Sequence, residues 1–196
     1  MPRILGEFQQ RHSQVMLRIY DHSASEIADH VEKGEAEFGI SIISAARWDL
    51  DIMPLGKECF VIACPAGHPF CGEDAVGWSD IEGLPLIRIG PETGNRILID
   101  EALGGRREKM NWRYEVQHIA TTIGFVRAGL ALALMPEFVL KGADVPGLVG
   151  VPLRNPTVTR TLGMLTRKGV PLSPAAEDLR SIIVHQFRTW AGGAEA

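Results

Sequence analysis

An α/β fold, with helices on both faces of a mostly parallel sheet, is the class this sequence predicts, and three observations predict it. The first is the stretch 116–136, VQHIATTIGFVRAGLALALMP, a strand end followed by a loop, an amphipathic helix, a glycine stop, a second strand and a proline. In its helix Ile119, Ile123 and Val126 recur at three- and four-residue steps and Phe125 widens the face. Gly129 stands where a helix ends in the left-handed conformation that glycine adopts without a Cβ clash. The second observation is the apolar run Leu130 to Met135, too short to span a membrane and suited to a strand covered on both faces. The third is an α-β-α-β alternation over the first third of the chain. In sheets of this kind the loops leaving strand C-termini form the ligand crevice, and unpaired helix N–H groups face it.

In chain order, Pro2, Ile4, Leu5 and Phe8 predict an opening helix, with residues 9–14 as its polar exit. Residues 15–20, VMLRIY, follow as an expected strand. Ser23 and Glu26 then have capping-box spacing, and Ile27, Ala28 and Val31 carry that helix to a stop at Lys33 and Gly34. Residues 36–43 are a further buried strand, and the loops at Ser23 and Ser44 leave strand C-termini. Residues 50–55 and 58–64 are expected as a pair of extended segments around Gly56. Residues 84–90 form a strand, after which Thr93 or Asn95 caps a helix over 96–103 that ends at Gly104-Gly105. Residues 112–116 lead as a strand into the central stretch, and residues 137–141 form a short helix after it. Extended segments at 149–153 and 159–166 precede a helix opened by Ser173-Pro174, whose face carries Leu179, Ile182, Ile183, Phe187 and Trp190.

Composition narrows the function classes. The 196 residues suit one large domain or two small lobes, and a formal charge of -4 argues against a basic nucleic-acid footprint. Cys59, Cys64 and Cys71 lack CxxC spacing and are expected as reduced, incidental thiols. No stretch matches a signal peptide, so a cytoplasmic place is expected, with no membrane association. P-loop, GxGxxG, HExxH and GxSxG motifs are all missing, and the six histidines form no convincing ligand pair. The expectation is therefore no catalytic residue, no metal site and no cofactor. His118 stands out from the other histidines by its position in a presumed cleft loop.

An ordered set of phrases covers nearly the whole chain: PRILGEFQQRH followed by QV, EIADHVEKGEAEFGI, PLGKECFVIACPAGHPF, GLPLIRIGPETG, VRAGLALALMP, VPL, TRKG and LSPAAEDLRSII. Together they resemble the effector-binding domain of LysR-type transcriptional regulators. The resemblance implies a type 2 periplasmic-binding-protein-like fold, two α/β lobes joined by two crossing strands, with a small-molecule cleft between them. Lobe I is expected over 1–61 plus 162–196 and lobe II over 62–161. The family's N-terminal winged helix-turn-helix, which reads DNA, is absent from this chain, and the first strand of lobe I is expected to lie upstream of it.

What the resemblance implies for function is a ligand-sensing regulatory domain, not an enzyme, that binds a small anionic effector and mediates oligomerisation. Ser23, Ser44, Thr93, Gly94, Asn95, His118, Ile119 and Thr121 lie on the loops expected to line the cleft. His118 stands where many relatives carry a small serine, which should change the ligand that fits. A homodimer is expected, a tetramer in the full-length parent, with residues 2–20 of one copy against 121–128 of another, because Phe8, Leu17 and Phe125 are not all easily hidden in a thin lobe. DNA would be reached only through the missing N-terminal domain. The alternative on the same fold is a free-standing solute-binding protein of a transport system.

Overall fold

A computed structural model of the protein describes residues 2–43, 49–91, 93–141 and 145–192. The elements begin with α1 (Pro2–Arg11), α2 (Ala24–Glu32), β1 (Phe38–Ile42) and β2 (Leu50–Pro65). Next come β3 (Val76–Gly77), α3 (Trp78–Ile81), β4 (Leu86–Ile89), α4 (Gly94–Leu103), β5 (Trp112–Val116) and α5 (Ile119–Arg127). The chain closes with β6 (Leu132–Pro136), α6 (Glu137–Lys141), β7 (Leu148–Arg154), β8 (Thr159–Arg167) and α7 (Pro174–Gly192), and 3-10 turns occupy Pro69–Gly72 and Gly104–Lys109. Two compact units result, Met1–Lys57 with Thr161–Ala196, and Glu58–Arg160. The chain leaves the first unit along β2 and returns to it along β8.

In the first unit β1 pairs antiparallel with β8, Phe38 opposite Thr166 and Ile42 opposite Leu162. Helix α1 packs on α7. Ile4 and Phe8 are buried there, the Phe8 ring stacks on His12 at 4.6 Å, and His12 Nε2 lies 2.9 Å from Asp178 Oδ2 on α7. Phe8 therefore supplies no apolar surface for a dimer contact, because α7 already covers it. Helix α7 starts as its sequence predicts: Ser173 Oγ accepts from the Ala176 N–H, and Leu179, Ile182, Ile183 and Phe187 are buried.

Residues 15–20 are not a strand. Met16 is 91% exposed and Ile19 65% exposed. Apolar and β-branched side chains favour an extended backbone and do no more. A strand also needs a neighbour for its N–H and C=O groups, and among the described residues no strand pairs with this segment.

Helix α2 carries the full capping box: Glu26 N–H donates to Ser23 Oγ at 3.4 Å, and Ser23 N–H donates to Glu26 Oε2 at 2.9 Å. The Ser23 hydroxyl, then its backbone N–H, hold the Glu26 carboxyl below the ordinary glutamate range, with smaller pulls from His22 and His30. A depressed carboxyl stabilises the folded helix end above its unfolded pKa, and that contribution is lost as pH falls below about 4.3. The protection of the first-turn amides of α2, taken relative to the intrinsic exchange rate at each pH, should accordingly fall as the solution is acidified through that range. Glu26→Gln should flatten the pH dependence, and a slope that survives the substitution would assign it to another group.

In the second unit β5, β4 and β6 run parallel, while β2 pairs antiparallel with β6 and β7. The sheet is thus mixed, its parallel pairs being β5–β4, β4–β6 and the short β3–β7. Expected as two segments, 50–65 is one strand of 16 residues that runs through Gly56, β2 having β8 as a neighbour as well as β6 and β7. Strand alternation sends residues to two buried faces. Ile62, Leu86, Leu132 and Leu134 pack with Trp78 and Ile81 on one face; Ala63, Ile87, Ala133 and Met135 pack with Val126 of α5 on the other. That double cover is what the unbroken apolar run of β6 requires, and all five of its residues are buried.

Candidate functional site

Because β4 and β5 are parallel neighbours, with Ile89 opposite Val116, the loops that leave their C-terminal ends lie side by side. The Gly90 N–H donates to the Val116 carbonyl at 2.8 Å. Gln117 lies directly over Gly90, where a Cβ would come within 2.3 Å of Gln117 Oε1, so the two loops touch through a position that has no side chain.

Each loop then opens a helix. Thr93 caps α4: its hydroxyl donates to the Gly90 carbonyl at 3.0 Å and accepts from the Arg96 N–H at 3.3 Å. Arg96 fastens the same loop from the other side, donating from Nη1 to the Ile89 carbonyl at 2.9 Å and from Nε to Asp100 at 2.6 Å. Arg88 Nη2 also donates to Asp100, at 3.0 and 3.1 Å. His118 is the N-cap of α5 through its extended backbone, with an exposed imidazole that makes no capping bond. Its carbonyl accepts from the N–H and hydroxyl of Thr122, at 3.1 and 3.3 Å, and Thr122 is buried.

The first-turn N–H groups, at Gly94 and Asn95 in α4 and at Ile119, Ala120 and Thr121 in α5, have no acceptor within their helices. Two adjacent helix starts therefore present several N–H donors and the positive ends of two helix dipoles.

Asn95, an alternative to Thr93 as the cap, turns its Oδ1 toward Arg160, accepting from Nη1 at 2.8 Å. Arg160 in turn donates from Nε to Glu58 Oε1 at 2.7 Å, with Nη2 2.5 Å from the same oxygen, and its guanidinium lies 5.9 Å from the centre of the Phe60 ring. Glu58 Oε2 accepts from the Phe138 N–H at 2.9 Å, in the first turn of α6. Glu58 and Arg160 were not expected at the site. The signal that could have found them is a charge at the edge of an apolar strand run, in KECFVIAC and again in VTRTLGML.

In the first unit Ser23 sits at the start of α2, its hydroxyl donating to Glu26 Oε2 at 2.6 Å. Around it, His22 Nδ1 lies 3.1 Å from His30 Nε2, and His30 Nδ1 lies 2.5 Å from Glu35 Oε2. Ser44 lies outside the described residues. The structure thus brings Thr93, Gly94, Asn95, His118, Ile119 and Thr121 onto two adjoining loops of the second unit, and puts Ser23 in the first. Both predicted hydroxyl donors, Ser23 and Thr93, already give their protons to acceptors in their own loops. A recess of about 370 Å³ in the first unit, lined by Asp51, Arg167, Val170, Glu177 and Arg180 among others, includes none of these residues.

Among the described residues no group of three or more His, Cys, Asp or Glu is placed to hold a metal ion, and no helix is long and apolar enough to cross a membrane.

Comparison with known proteins agrees with this fold. The family model of the LysR substrate binding domain matches residues 1–188. The HTH-type transcriptional regulator YbhD of Escherichia coli, itself uncharacterised, is 32% identical over 94% of this chain, which spans 58% of that relative's length. The regulatory domain of CcmR from Synechocystis PCC6803, in complex with 2-PG, superposes with a TM-score of 0.77 at 16% identity, over 95% of this chain and 90% of that one. The effector-binding domain of QuiR in complex with shikimate superposes with a TM-score of 0.73 at 17% identity, over 96% and 90% of the two chains. These likenesses establish a type 2 periplasmic-binding-protein-like fold for the chain.

Proposed function

We propose, for a chain that belongs to the LysR substrate binding domain family, that it is the ligand-sensing part of a transcriptional regulator and that its effector is a small anion held at the starts of α4 and α5. The observation that carries this reading is the juxtaposition of two helix N-termini at neighbouring parallel strand ends, with the nearby threonine hydroxyl already turned inward. Main-chain N–H groups of Gly94, Asn95, Ile119, Ala120 and Thr121 are then the donors left for a ligand, with the His118 imidazole and the Thr121 hydroxyl beside them. Thr93 enters as the residue that fixes its loop, and Ser23 does the same at the start of α2. QuiR, of the same fold, carries shikimate, a carboxylate, which is the ligand chemistry these donors suit.

The relatives are HTH-type transcriptional regulators and not transport proteins, and each is longer than this chain. In a protein of that length the domain would report effector occupancy, inside the cytoplasm, to a DNA-binding segment that precedes it. Pairing of two copies belongs to the same reading. Met16 and Ile19, rather than Phe8, supply the apolar surface of residues 2–20 for it.

Calorimetric titration with a panel of small carboxylates that includes shikimate tests the proposal. At least one acid should bind saturably and its methyl ester should not, because the ester cannot present a charge to the N–H groups. An ester that binds as tightly as its acid would overturn the anionic reading. Ser23→Ala and Thr93→Ala should each lower stability by about 1 kcal/mol, as lost helix caps do, while affinity changes by less than about threefold.

A further inference from the structure

Cys64 and Cys71 are the pair of nucleophilic side chains that the ligand site does not use. Cys64 closes the buried part of β2 and is fully inaccessible, whereas Cys71 is exposed in the 3-10 turn Pro69–Gly72. Their Sγ atoms are 3.8 Å apart. The chain between them is folded back on itself, the His68 N–H donating to the Pro65 carbonyl at 3.0 Å and the Cys71 N–H to the His68 carbonyl at 2.9 Å, and the Ala66 N–H ties it to the Gly147 carbonyl at 2.9 Å. Gly67, at φ +95°, makes the reversal possible. Each thiol also points at a carbonyl, Cys64 at Val149 (3.6 Å) and Cys71 at Pro65 (3.5 Å). A disulfide needs about 2.0 Å between sulfurs, so a rotation of the exposed Cys71 side chain covers most of the remaining gap.

We propose that Cys64 and Cys71 are a reversible redox pair that closes to a disulfide under peroxide. In the first step the Cys71 sulfur, which solvent reaches, attacks a peroxide oxygen. An S–O bond forms, the O–O bond breaks, water leaves, and Cys71 becomes a sulfenic acid. In the second step the Cys64 sulfur attacks the Cys71 sulfur, the S–O bond breaks, and the hydroxide departs as water with the proton from Cys64. Overall two thiols and one hydrogen peroxide give one disulfide and two waters. A dithiol reductant supplies the two electrons and two protons that reverse it.

The order of the steps follows from exposure, since the oxidant reaches Cys71 and not Cys64. Burial, and then the contact with Cys71 itself, push the Cys64 thiol up to about 12. The thiolate is the attacking form, so closure is slow at neutral pH and speeds up as pH rises. Cys59, on the same strand and outside this pair, is the internal control.

The test uses the reduced, folded chain with hydrogen peroxide. Intact mass should fall by about 2 Da, titratable thiols should drop from three to one, and peptide mapping should join Cys64 to Cys71, all restored by dithiothreitol. Closure should be several-fold faster at alkaline than at neutral pH. Cys59→Ser should behave as the unmodified chain does. Cys64→Ser should instead accumulate a sulfenic acid at Cys71 that dimedone traps, which keeps the assignment testable if Cys71→Ser folds poorly. Three surviving thiols, oxygen adducts without the mass loss, or a bridge through Cys59 would each overturn the proposal.

Discussion

Arg160→Met should lower the stability of the protein by about 3–5 kcal/mol, the range for breaking a buried ion pair from one side. The Glu58 side chain is fully inaccessible and that of Arg160 is 10% exposed, so removing the guanidinium leaves a buried carboxylate that keeps the Phe138 N–H but has lost its counter-charge. Asn95 Oδ1 loses its donor as well, which loosens the start of α4. The double variant Glu58→Leu with Arg160→Met should recover most of the loss, because an apolar pair of similar volume costs no desolvation. Urea unfolding of the two single variants and the double variant measures the cycle. A loss below about 1 kcal/mol for Arg160→Met would mean that water reaches Glu58 and that the pair is no more than a surface one.

Thr121→Asp should have the second large effect, this time on binding. Position 121 is the third residue of α5, where a carboxylate helps a helix by about 0.3–1 kcal/mol through its N-terminal dipole. The same charge, about 4 Å from an anionic ligand, opposes it by up to roughly 4 kcal/mol at an intermediate dielectric. Affinity for carboxylates should fall by at least about thirtyfold while the melting temperature holds or rises. No merely structural role gives that opposition of signs. Unchanged carboxylate affinity in calorimetry would remove α5 from the effector site.

These two effects differ in how far the sequence foretold them. The helix starts at Ser23, Thr93 and Ser173 were legible because capping is local: a hydroxyl and an N–H two or three residues on belong to one turn. The buried strand β6, with helix α5 before it, was legible for the same reason, its periodicity lying within one stretch. Pairing is not local. Residues 15–20 have a strand-like apolar composition and no strand, and β2 runs through the glycine that suggested two segments. Glu58 and Arg160 are separated by 102 positions, so nothing near either one announces the other. The site residues on the loops after β4 and β5 could be proposed from cap chemistry. Their contact through Gly90 and Gln117 depends on strand order, which no single segment encodes.

The crossing of the chain along β2 and back along β8 has a consequence for biosynthesis. The unit Glu58–Arg160 is continuous, so all of it is synthesised before helix α7. The other unit is assembled from both ends of the chain. Helix α1, with Ile4 and Phe8, emerges first, yet it packs on α7, which begins at Pro174. At translation rates of about 5–20 residues per second, α1 waits roughly 8–30 s for its partner. During that interval its apolar face is open to chaperones and to other nascent chains. Helix α7 is therefore the element that ends the exposure of α1.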